Sequence, residues 1–287
     1  MNRTGTRTKF FNFFRMALRG RFAESLLLPF TNGSNWNSFV ARIPANYYQY
    51  RPGTMRSVVR NEIRFELDLS EYMQWLIYFG IQTEPREKMY ALLRSGMHVI
   101  DIGANIGETT LMFSRLCGVN GKVASFEPFP STFKRLEHHL ALNSCPNVLP
   151  VNRALGQREE TVYMETVSGN SGGNQVTTGA AKTEVICTTL DKWLNEQTGF
   201  EPSFIKIDVE GYEQQVLLGA RATLKRFSPL LFIEINDHFL QRAGNSGEEL
   251  FTYLESFGYR LADADTGQPV TRQDLARPHF DIIARKN

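Results

Sequence analysis

The chain has 287 residues, 42% of them hydrophobic, and a formal net charge of +2, so it can bury a full core without disulfide or metal staples. Its three cysteines, Cys117, Cys145 and Cys187, are odd in number and too widely spaced for a cystine framework or a zinc knuckle, which suits a reducing, cytoplasmic compartment. No apolar run approaches the roughly 18 residues of a spanning helix, and no compact h-region marks a secretory signal.

The charge is unevenly distributed. Residues 1–22 carry Arg3, Arg7, Lys9, Arg15, Arg19 and Arg21 with no acid, which leaves the remainder with four more acids than bases. Phe10, Phe11, Phe13, Phe14, Met16, Leu18 and Phe22 interleave with these cations, and Phe11, Phe14, Leu18 and Phe22 fall at helical spacing. Two readings stay open: peripheral contact of residues 1–30 with an anionic membrane surface, or a terminus that is flexible or docked on the body through its phenylalanines.

Three stretches are expected: a basic aromatic tail at 1–34, a lead-in at 35–95, and a ligand-binding domain at 96–287. In the lead-in, "SVVRNEIRFELDL" alternates like one amphipathic strand and "PREKMYALLRSG" reads as a short helix closed by Gly96. Short apolar strands then alternate with helix-length segments. The strands are "HVIDIG", "KVASFEP", "NVLPVNRAL", "SFIKIDVEG" and "PLLFIEIN", with helices around Thr109–Cys117, Ser131–Asn143 and Gln214–Phe227. Nearly all-apolar strands in such alternation predict an α/β fold, a parallel sheet covered on both faces. The polar stretch from about Thr166 to Ala181 reads as a loop, either a mobile lid or a disordered insertion. "GYRLADA" and "HFDIIARK" close the chain as a strand pair.

"VIDIGANIGETTL" runs from a strand into a helix. A dinucleotide turn needs glycine at three positions of GxGxxG; counted from Gly103, the second and third fall on Asn105 and Glu108. Gly103, Ala104, Asn105 and Gly107 still allow close approach of the backbone to a ligand. Helix-start amides suit a carboxylate, and Asp101 suits an ammonium or sulfonium, which is the charge pattern of S-adenosylmethionine. Glu127 closes the next strand where a carboxylate can accept from two ribose hydroxyls.

These stretches, with "YFG" (Tyr78–Gly80), "FEP" (Phe126–Pro128), "NRALG" (Asn152–Gly156), "IKIDVEGYE" (Ile205–Glu213) and "IEI" (Ile233–Ile235), resemble the FkbM family of S-adenosylmethionine-dependent O-methyltransferases. The resemblance spans about Val58 to Arg285. It implies a Rossmann-like class I methyltransferase with seven strands in the order 3-2-1-4-5-7-6, strand 7 antiparallel. It also implies that Pro128, Asn152, Ala154 and Asp208 join the cofactor-binding set, and that the acceptor is a hydroxyl of a sugar, glycolipid or secondary metabolite.

Asp101, Asp208 and Glu210 would share one crevice, with Glu234 and His238 at the same mouth. Asp208 is the leading candidate for general base, and Glu210, Glu234 and His238 are the other candidates for catalytic roles. Each has a structural alternative, as a helix cap, an orienting acid or a surface histidine. Three carboxylates at adjacent strand ends could hold a divalent ion, but no ligand spacing demands one. A non-catalytic binding module, a nicotinamide enzyme and a nucleic-acid methylase are the competing readings; the slightly acidic body argues against nucleic acid. Trp36, Tyr47, Tyr48 and Tyr50 could line an acceptor site or pack as core.

Overall fold

Two helices open the chain, α1 (Thr6–Ala17) and α2 (Arg21–Thr31). The computed structural model describes residues 6–82, 86–167, 170–176 and 183–286. The chain divides into two units, Met1–Pro85 with Val167–Gly172, and Arg86–Thr166 with Gly173–Asn287. The stretch read as a tail, 1–34, falls in one unit with residues 35–85 of the lead-in, while residues 86–95 fall in the other. Glu24 on α2 is fully buried, and both of its carboxylate oxygens accept from Arg56, at 2.6 and 3.2 Å. A buried charge needs such a matched partner.

The stretch read as one strand is a hairpin. Asn61 and Glu62 adopt left-handed dihedrals, φ 48° and 62°, the geometry of a tight two-residue turn. Accordingly β1 (Met55–Arg60) pairs antiparallel with β2 (Ile63–Asp68), Arg60 opposite Ile63. Ile63, Phe65 and Leu67 are buried on one face of β2, along with Trp75 and Phe79 of α3 (Tyr72–Phe79). Trp36, Tyr47 and Tyr72 stack edge-on at 5.3–5.7 Å, and Tyr50 is buried.

The second unit holds α4 (Glu87–Tyr90), β3 (His98–Ile102), α5 (Glu108–Cys117), β4 (Lys122–Phe126), α6 (Pro130–Asn143) and β5 (Val148–Val151). Next along the chain come β6 (Ala154–Leu155), β7 (Glu160–Val167), β8 (Asn170–Val176), β9 (Thr183–Thr188) and α7 (Leu190–Asn195), with residues 167–172 at the end of β7 and the start of β8 counted in the first unit. The chain continues through β10 (Phe204–Ile207), α8 (Glu213–Leu218), α9 (Arg221–Arg226), β11 (Leu230–Ile235) and α10 (Asp237–Arg242). It ends with α11 (Gly247–Ser256), β12 (Arg260–Asp263) and β13 (Phe280–Arg285).

Seven of these strands form one sheet in the order β12-β13-β11-β10-β3-β4-β5. The pairs from β11 through β5 are parallel, whereas β13 is antiparallel to both its neighbours. That is the expected 3-2-1-4-5-7-6 arrangement. Alternate residues feed two cores, one with Ile100, Ile102, Ile205, Ile207, Leu231 and Ile233, the other with Val99, Val123, Phe204 and Phe232. Burial on both faces explains why the strands lack polar alternation.

Three expectations change. "NVLPVNRAL" splits, because β5 joins the main sheet and β6 a second sheet of order β6-β9-β7-β8. The stretch from Thr166 to Ala181, expected to be a loop, contains β8, while its residues 168–169 and 177–181 lie outside the described residues. The helix expected over Gln214–Phe227 breaks at Gly219, where a Cβ would sit 1.9 Å from the Gly156 carbonyl. Among the described residues no helix is long and apolar enough to cross a membrane.

Candidate active site

Strands β3 and β10 lie side by side with Asp101 opposite Lys206, and the order of connection reverses between them. Clefts in such sheets open at this point, beyond the carboxyl ends of the strands. Gly103 leaves β3 at φ 80°, and a Cβ there would lie 1.8 Å from the carbonyl oxygen of Asp208. Contact with the neighbouring turn thus requires glycine here. Gly107, at φ 95°, is similarly constrained, since a Cβ there would lie 2.6 Å from the Leu136 side chain.

Between them, the amides of Gly103 and the buried Ala104 both donate to the Phe126 carbonyl at 3.0 Å. Asn105 turns at φ 49° and donates its amide to Glu127 Oε2 at 2.9 Å. Glu127 Oε1 accepts from the Phe129 amide at 2.9 Å. Burial pushes this carboxyl up to about 7 despite the two amides. Asn152 braces the turn by donating to the carbonyls of Glu127 and Pro128, each at 2.9 Å, and Ala154 is buried in β6.

Asp101 does not present an open charge. It is fully buried, its Oδ2 accepts from Thr109 and Thr110 at 2.7 and 2.6 Å, and its Oδ1 lies 3.4 Å from Lys206 Nζ. The expected cationic partner was a ligand; the structure supplies a lysine. Lys206 also meets Asp208 Oδ2 at 3.0 Å and donates to the Gly103 carbonyl at 3.2 Å. Burial disfavours its charge, but the two aspartates more than compensate and hold its pKa above the ordinary value.

Asp208, by contrast, keeps 37% of its side chain exposed. Burial pushes its carboxyl up, while Lys206 and a hydrogen bond with Glu234 pull it further down, leaving it below the usual range. Glu234 is held well above its ordinary value by burial and then by the Asp208 charge, so it carries the shared proton. Its Oε1 lies 3.0 Å from His279 Nδ1. Glu210 sits at φ 54°, a strained dihedral for a non-glycine residue. Burial, Asp208 and Glu213 lift its carboxyl to about 8.

His238 does not join this group. It is exposed on α10, where its ring contacts Phe239, and His279 occupies the place proposed for it. The helix-start amides considered for Glu210 are bound by buried Glu213, whose Oε1 accepts from Val209 and Gly211 at 3.1 and 3.0 Å. Among the described residues no group of three or more His, Cys, Asp or Glu is placed to hold a metal ion.

Sequence reasoning overlooked Lys206, Thr109, Thr110, Glu213 and His279. A lysine inside the otherwise apolar strand "FIKI" was the available signal for the first, since a buried amine requires acids nearby. His279 could have been found from register: Ile235 pairs with Phe280, which brings the residue before β13 to the end of β11.

Residues 101–261 match the model of the methyltransferase FkbM domain. A hexuronic acid methyltransferase, AglP, from Haloferax volcanii is 28% identical over 138 residues, covering 47% of this chain and 54% of that protein. The matched region thus spans about half the length of that curated relative. An FkbM methyltransferase structure from Methylobacillus flagellatus superposes with a TM-score of 0.46 at 20% identity, covering 68% of this chain and 45% of that one. TYW2 of M. jannaschii in complex with AdoMet gives 0.45 at 15% identity, covering 82% and 86%.

Proposed function

Because the chain belongs to the FkbM methyltransferase family, we propose that it moves a methyl group from S-adenosylmethionine to a hydroxyl oxygen of a carbohydrate-type acceptor. The observation that carries this reading is the Asp208, Glu210 and Glu234 cluster beside the Gly103 turn, at the carboxyl ends of adjacent strands. The name of the Haloferax volcanii relative is what points toward a sugar. The free thiols Cys117, Cys145 and Cys187 suit a cytoplasmic setting.

The donor fits the residues present. Asn105 Oδ1 is buried without a hydrogen-bond partner among the described residues, and Glu127, lifted to about 7, gains from hydroxyl donors. Glu127, Asn105, Pro128 and Asn152 would hold the nucleoside end, and Gly103 and Ala104 the amino-acid end, with Gly107 and Ala154 shaping the walls. When bound, the donor supplies an electrophilic methyl carbon on a sulfonium.

The remaining work falls to the chain. Asp208, kept ionised by Lys206, accepts the hydrogen bond of the acceptor hydroxyl and aligns it. A carboxyl held below its usual range is a poor proton acceptor, so Glu210, tuned to about 8, takes the proton. Glu234 keeps its own proton toward Asp208 and is oriented by His279.

The test is transfer of labelled methyl from S-adenosylmethionine to a panel of uronic-acid and neutral saccharides. Wild type is expected to label a saccharide, with turnover rising through pH about 8 as Glu210 ionises. Glu210→Gln is expected to lose that limb and about a hundredfold in turnover. A pH profile unchanged in Glu210→Gln moves the proton acceptor elsewhere.

A further inference from the structure

Among the described side chains of α1 and α2, polar groups turn inward while Phe13, Phe14, Phe22 and Phe30 stand outward. On α1, Asn12 donates to the Tyr48 hydroxyl at 3.3 Å and accepts at its carbonyl from Gln49 at 2.8 Å. Arg15 and Arg19 donate to the carbonyls of Arg42 and Gln49. Phe13, Phe14 and Met16 of the same helix stand exposed. On α2 the inward side holds Glu24 and Thr31, while Phe22, Leu26 and Phe30, spaced four apart, are exposed by 77%, 56% and 72%. Phe39 is also exposed. The expected alternative, docking through the phenylalanines, does not describe these residues.

A soluble helix ordinarily buries such a stripe. The segment that carries it is cationic: residues 1–61 hold ten arginines and lysines against one acid, Glu24, which is sealed against Arg56, and the acids Glu62, Glu66, Asp68 and Glu71 follow on the hairpin and beyond it. Arg21, Arg42 and Arg51 are exposed in the same unit.

We propose that this face seats on an anionic membrane surface, its phenylalanines entering the headgroup boundary and its arginines pairing with lipid phosphates. Charge complementarity selects this occupant. A second copy would bring two strongly cationic segments together, and a basic partner would be repelled. The proposal is independent of the reaction and of the acceptor.

Sedimentation of the full chain with vesicles tests it. Binding is expected to vesicles of phosphatidylcholine mixed with phosphatidylglycerol and not to phosphatidylcholine alone, and to weaken as salt rises. Arg21→Gln, Arg42→Gln and Arg51→Gln together should weaken it about a hundredfold. The triple variant Phe22→Ser, Leu26→Ser, Phe30→Ser should abolish it while leaving the unfolding midpoint in place. No binding to the anionic vesicles, or binding untouched by the serine variant, overturns the proposal. So does a dimer in sedimentation equilibrium that the serine variant dissociates, which would assign the face to a second copy.

Discussion

Lys206 touches two aspartates that meet opposite fates. Asp101 is enclosed by two threonine hydroxyls and the lysine, a structural anchor of the sheet. Asp208, on the next strand and at 3.0 Å from the same amine, remains half open among acids that the lysine cannot neutralise alone. One cation thus joins a sealed aspartate to one that stays partly open. The strained backbone of Glu210 and the raised carboxyls of Glu210 and Glu234 fall on the open side, features that mark candidate functional positions.

Substitutions can separate the two sides. Gly103→Ala should have the largest effect, because its Cβ would sit 1.8 Å from a backbone oxygen that cannot swing away. A loss of more than about 4 kcal/mol, or failure to fold, is expected in denaturant titration. Lys206→Met comes next: it strands buried Asp101 without its cation and should cost roughly 3–5 kcal/mol. A Lys206→Met protein as stable as wild type would dissolve the distinction drawn between the aspartates. Thr110→Val, on the sealed side alone, removes one hydroxyl donor and should lower stability by about 1–3 kcal/mol with kcat little changed.

The open side predicts a kinetic signature. Asp208→Asn should keep donor affinity within a few-fold and stability within about 1 kcal/mol, yet lose much of its turnover. Glu127→Ala should weaken donor binding first. A smaller, collective effect is the pH dependence of stability. Glu127 and Glu213 titrate near 7 in the fold and Glu210 near 8, all above an ordinary 4.5. Groups raised in this way bind protons more tightly when folded, so their stabilisation is full below about 4.5 and is lost as pH rises through 7 to 8. Thermal melts should therefore show a lower midpoint at pH 8 than at pH 5.5.

How much of this was legible followed from the range of the interactions. Strand and helix alternation is local, and the glycine-rich turn after β3 and the acids after β10 lie within a few residues of their strands, so they could be read directly. The turn at Asn61 and Glu62 was hidden because glutamate rarely adopts φ 62°. The break at Gly219 depends on Gly156, far away in sequence. Asp101 could be picked out, but its sealing by Lys206 depends on the register of two strands about a hundred residues apart. For the same reason His238, four residues after Glu234, could be named from sequence, whereas His279, close to Glu234 only across the sheet, could not.

The most direct test of the central claim is calorimetric titration of the full chain with S-adenosylhomocysteine, the demethylated donor, alongside NAD. The account predicts that wild type and Asp208→Asn bind S-adenosylhomocysteine with affinities within a few-fold of each other, that Glu127→Ala binds it more weakly, and that NAD gives no heat of binding. Saturable binding of NAD with none of S-adenosylhomocysteine would contradict it.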